Sequence, residues 1–104
     1  MRKFHIAIGV TDIEKSIEDY SIRLGDNPSI HIEGEYALFR TASINMSIRK
    51  VENTTTGVRH IGWEDDGATG FSEDKDCNGL IWEIFNKKAQ EDEISRLWKI
   101  PLTK

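Results

Sequence analysis

Residues 3 to 9 alternate, with Phe4, Ile6 and Ile8 on one side and His5, Ala7 and Gly9 on the other, which is the period of a half-buried strand. The period then changes. In "TDIEKSIEDYSIRLG" the residues Ile13, Ile17, Tyr20 and Leu24 recur at helical steps, Thr11 and Glu14 have capping-box spacing, and Gly25 is a natural stop. Three short alternating runs follow, "SIHIEG", "YALFRT" and "SINMSIRKV", separated by turn-forming residues. The first half therefore reads β-α-β-β-β.

A hydrophilic joint, "ENTTTG" at 52 to 57, leads into "VRHIGWEDD", a further strand in which the HI of residues 5 and 6 recurs at 60 and 61. Only "DDGATG" separates it from the next run, too few residues for a helix of ordinary length. An Asn-Gly turn in "DCNG" joins "GFSEDK" to "LIWEIFN" as a hairpin. The tail "KKAQEDEISRLWKI", residues 87 to 100, reads as a helix with Ile94, Leu97 and Trp98 on one face, ended by Pro101.

Losing a helix in the second half has a consequence. Ile61, Trp63, Leu80, Trp82 and Ile84 would form an apolar face too rich to stand free. The tail helix is expected to cover it, either within the chain or on a neighbour in a homodimer.

At 104 residues the chain is a single domain with one modest core. Fourteen basic and eighteen acidic residues, interspersed, leave a net charge of −4, which argues against a nucleic-acid partner. No run approaches the roughly 20 apolar residues needed to cross a bilayer, and the N-terminus lacks a small-residue cleavage site, so a soluble cytoplasmic protein is expected. The lone Cys77 excludes an intrachain disulfide and a thiolate metal cage, and reads as a turn residue.

Within "DCNGLIWEIFN", Glu83 sits in an otherwise buried strand, where an unpaired charge would cost several kcal/mol. Taken with "FHIAIGVTDIEKSIEDYSIRLG" and "VRHIGWED", this stretch resembles the vicinal oxygen chelate superfamily of glyoxalases, extradiol dioxygenases and fosfomycin and bleomycin resistance proteins. The resemblance spans nearly all of residues 4 to 86. It implies an α+β fold of two β-α-β-β-β-type modules, about 1–51 and 57–86, whose mostly antiparallel sheet curls around a cleft; the second module here lacks its helix, and the tail helix follows at about 87–100. It also implies a divalent metal on His5, His60 and Glu83. A fourth ligand, a glutamate in glyoxalases, corresponds to Ser47 here. The implied chemistry is that of a lyase, isomerase or dioxygenase acting on two neighbouring oxygens of a small substrate.

The alternation agrees with that placement. His5, His60 and Glu83 all lie on faces opposite the bulky apolar residues, with Val58, Gly62 and Glu64 expected beside His60. Two imidazoles and a carboxylate suit Fe(II), Mn(II), Ni(II) or Zn(II), and such an ion would hold Glu83 ionised. Asn45, Ser47 and Arg49 share a face that would line the same cleft and bind substrate, with Arg49 as a fixed cation for a carboxylate or enolate. Besides Glu83, Glu64 is the candidate for catalytic acid–base work. His31, Glu33 and Glu35 read as solvated. The residues leave a second reading open: a metal-free module of the same fold that binds a small molecule or a partner, with Glu83 paired to Arg40 or Arg49 across the sheet.

Overall fold

The computed structural model describes residues 1–101. The alternating N-terminal run forms β1 (Arg2–Val10), and the helical stripe forms α1 (Ile13–Leu24). Ile13, Ile17, Tyr20 and Leu24 pack on Ile6, Ile8, Met46, Ile48 and Phe39, forming the larger of two cores. The cap differs from the expected one by one position: Asp12, not Thr11, accepts from Lys15 N. Glu14 is thereby released from a capping box, and it instead accepts from the Gly34 amide and pairs with His31. Gly25, left-handed at φ 69°, closes the helix.

The chain continues through β2 (Ile30–Ile32), β3 (Tyr36–Arg40), β4 (Ile44–Lys50), a short 3-10 turn (Asn53–Thr55), β5 (Gly57–Asp65), β6 (Ser72–Lys75), β7 (Ile81–Phe85) and α2 (Lys87–Trp98). All seven strands form one open, mixed sheet in the order β2-β3-β4-β1-β5-β7-β6. β1 runs parallel to β4 and β5 parallel to β7, while the other neighbours are antiparallel. Asp76 shapes the last hairpin by accepting from Asn78 N, Leu80 N and Trp82 Nε1.

The β1/β5 seam has a regular register. Ile6 faces Ile61, with His5 opposite Gly62 and Ala7 opposite His60. A local two-fold axis through that pair exchanges His5 with His60. On the flanking strands Ala7 pairs with Ser47 and Gly62 with Glu83, so the same axis makes Ser47 and Glu83 equivalents.

Beyond Ala7 the symmetry breaks, because Ile8 pairs with Val58 and Arg59 is the extra residue of a β-bulge. Val58 therefore pairs with Ile8 instead of following His60, and it is largely exposed. The expectation that it shares the His60 face fails because strict alternation cannot anticipate a bulge.

α2 also departs from expectation. Ile94 and Trp98 pack on Tyr36 and Leu38 of β3, on the His5 side of the sheet, with the Trp98 and Tyr36 rings 4.5 Å apart. The face carrying Trp63, Trp82 and Ile84 stays without a helix: Trp63 packs edge-on to Phe4 beneath the Arg2 guanidinium, and Ile84 is exposed. The reason lies in the helix stripe, which includes Gln90. Its amide needs a polar partner, and Asn45 on the other face supplies one.

Candidate metal centre

Three strands bring the ligand atoms together. His60 Nε2 lies 3.1 Å from His5 Nε2 and 3.1 Å from Glu83 Oε1, and the three donor atoms fall within 4.8 Å of one another. Two cis ligands bound at about 2.1 Å stand about 3 Å apart, so the two short edges have the spacing of coordinating atoms.

The atoms behind His5 decide which of its nitrogens faces the cavity. Arg40 donates to both oxygens of Glu64, at 2.8 and 2.5 Å. Burial pushes the Glu64 carboxyl up, but the hydrogen bonds from Arg40 and Asn45 and the Arg40 charge outweigh it and hold Glu64 below the usual carboxylate range. Ionised Glu64 can only accept, so the Asn45 amide nitrogen must point to it, at 2.7 Å. Asn45 Oδ1 then faces His5 Nδ1 at 2.9 Å, and the Asn45 carbonyl lies 3.1 Å from the same nitrogen. Both are acceptors. The proton therefore resides on His5 Nδ1, and the Nε2 lone pair is directed at His60 and Glu83. Gln90 closes the network with reciprocal bonds to Asn45 at 2.8 and 3.1 Å.

This donor set fits a divalent ion. Burial lowers the His5 pKa, against its hydrogen bonds to Asn45 that raise it, so the ring is neutral and able to ligate. Burial pushes Glu83 up, but the His60 hydrogen bond and nearby positive charge, Arg59 included, hold it below its ordinary value, so its carboxylate is ionised. His60 Nε2 stands within hydrogen-bond distance of both Glu83 Oε1 and His5 Nε2.

The cavity in front of these atoms measures about 150 Å³ and lies between the sheet and α2. Ser47, Arg49, Arg59 and Tyr36 border it with the three ligand residues, and Phe71, Leu97 and Trp98 add an apolar wall. Burial pushes the Tyr36 phenol far above its ordinary pKa, leaving it a neutral hydroxyl.

Two sequence-derived candidates lie elsewhere. Asn45, expected to bind substrate, is fully buried behind His5. Glu64, expected in catalysis, is likewise buried, and its carboxylate is occupied by Arg40 and Asn45. Glu83 pairs with His60 and not with Arg40 or Arg49. His31, Glu33 and Glu35 are exposed as expected, as is Cys77. The residues that sequence reasoning missed are Gln90 and Arg59. A glutamine four residues before Ile94 on the buried stripe is a usable signal for the first; a bulge has no comparable signature.

No family model and no curated protein matches the sequence. Among solved structures, the fold is similar to a chain described as the NAD-dependent benzaldehyde dehydrogenase from Legionella pneumophila, with TM-score 0.54 and 12% identity over 80% of this chain and 97% of that one. It is also similar to a hypothetical protein from Staphylococcus aureus, with TM-score 0.61 and 9% identity over 82% of this chain. This chain spans about a third of the Staphylococcus protein, 34%. At such identities the likeness concerns the fold alone. Among the described residues no helix is long and apolar enough to cross a membrane.

Proposed function

We propose that this chain is a small member of the vicinal oxygen chelate superfamily and a divalent-metal-dependent lyase, isomerase or dioxygenase acting on a small oxygen-rich substrate. The observation that carries the reading is the convergence of His5 Nε2, His60 Nε2 and Glu83 Oε1 on one cavity, with the His5 tautomer set from behind. The seam supports a pair of related modules, since one axis relates His5 to His60 and Ser47 to Glu83.

His5, His60 and Glu83 would hold Fe, Mn, Ni or Zn. When bound, the ion supplies Lewis-acid polarisation of two neighbouring substrate oxygens. The chain's own residues prepare the site for it. Asn45 keeps the His5 proton on Nδ1, and Arg40 keeps Glu64 ionised so that Asn45 cannot flip. On this reading Glu64 acts by positioning Asn45.

Elemental analysis of chelator-free protein tests the reading. Near-stoichiometric iron, manganese, nickel or zinc is expected in the wild type and absent from His60→Ala and Glu83→Gln. A wild type that takes up none of the four ions on incubation would end the metal-enzyme proposal. A second reading, a metal-free module that binds a small molecule or partner, draws on Ser47 standing where the axis would place a second carboxylate. Ligand binding indifferent to chelator would favour it.

A further inference from the structure

We infer that the cavity takes a small carboxylate, gripped by Arg49 and Arg59 beside the three ligand atoms. This deepens the function proposed above and rests on it for the neighbouring ion, but not for the arginines. In a regular strand Arg59 and His60 would point to opposite faces. The bulge at Arg59 removes that constraint, and both residues border the same cavity.

Arg49 arrives from the other side of β1 by ordinary alternation: Asn45, Ser47 and Arg49 pair in turn with His5, Ala7 and Gly9. The cavity face of the sheet is thus layered along β1. His5 and Asn45 lie deepest, Ser47 and His60 come next, and the two guanidiniums stand at the Gly9 end.

Both guanidiniums are available. Among the described residues Arg2, Arg23, Arg40 and Arg96 each lie within ion-pair distance of a carboxylate, whereas Arg49 and Arg59 have no such partner. Arg49 lies over the Trp98 ring at 5.4 Å, which orients its plane without consuming its N–H donors. Two carboxylates also border the cavity. Glu83 is engaged by His60 at 3.1 Å, and Glu93 stands 3.8 Å from Arg96 on its own helix. With neutral histidines and no ion these charges balance, and a divalent ion tips the cavity to net positive. A volume of about 150 Å³ is below the roughly 300–1,000 Å³ of sites for drug-sized ligands, so the acid must be short.

Lactate and its neutral isostere lactamide make the test, titrated into zinc-loaded and metal-free protein and followed by amide NMR shifts. Wild type should prefer lactate by about tenfold or more, the value of a charge-assisted hydrogen bond pair. Arg59→Gln should lose that preference with zinc content unchanged, and Arg59→Lys should fall between. Equal affinity for lactamide, undiminished lactate binding by Arg59→Gln, or no lactate binding in either form would overturn the assignment. Protein that binds no zinc but still selects lactate through Arg59 would end the metal reading and leave the arginine site standing.

Discussion

Asn45 is the residue on which the site's order depends. It satisfies His5, Glu64 and Gln90 at once from a fully buried position. Asn45→Ala should destabilise the protein by about 2–4 kcal/mol in urea unfolding, since it leaves buried polar groups without partners. It should also weaken metal binding by about 10–100-fold, as lost ligand orientation generally does. The same residues set a pH profile for metal-free protein. His5 has a folded pKa below its usual 6.5, so between those values the unfolded chain binds the extra proton and stability falls as pH drops below about 6.5. Glu64 and Glu83, also depressed, contribute stability that is present above about 4.5 and lost as pH falls through their folded values. Urea midpoints measured in chelator from pH 8 to 4 should decline in those two stages, and Glu64→Gln should shrink the lower one.

At the level of elements, two local features decide the site. The first is the close approach of β5 and β7. A Cβ on Gly62 would lie 1.8 Å from the Glu83 carbonyl oxygen, so Gly62→Ala must separate the strands that carry His60 and Glu83. A loss of about 3 kcal/mol or more is expected, together with the metal, readable by calorimetry and elemental analysis. The second is α2. Ile94 is its buried anchor, and Ile94→Ala should cost about 2–5 kcal/mol. Because Gln90 rides on the same helix, that variant should also loosen metal retention, which an equally costly substitution in the α1 core, such as Ile13→Ala, should leave nearer wild type. Both helices and all strands but β6 are visible in the sequence as periodicity; β6, the polar run SEDK, is marked only by the Asn-Gly turn that follows it. The side of the sheet taken by α2 is not, because Ile94, Leu97 and Trp98 would satisfy either apolar surface, and the choice falls to one buried amide pair.

For the whole molecule, an open sheet with α1 and α2 packed on its first half leaves the Trp63, Trp82 and Ile84 side of the second half uncovered. The homodimer expected from the sequence would place a second copy there. On that proposal, Ile84→Lys should shift sedimentation velocity toward the monomer without changing metal content, and a wild type already monomeric at high concentration would count against it.

The amino-acid pattern alone determined the order of elements and the segregation of His5, His60 and Glu83 from the bulky apolar positions, because alternation and turn residues act over short distances, whereas the match between Ser47 and Glu83 comes from strand register. Tertiary structure decided the rest. Whether three ligand atoms meet, which histidine nitrogen carries the proton, and that Arg59 borders the same cavity as His60 depend on register between strands distant in sequence. A one-residue bulge or one amide pair resolves choices that leave the hydrophobic pattern unchanged.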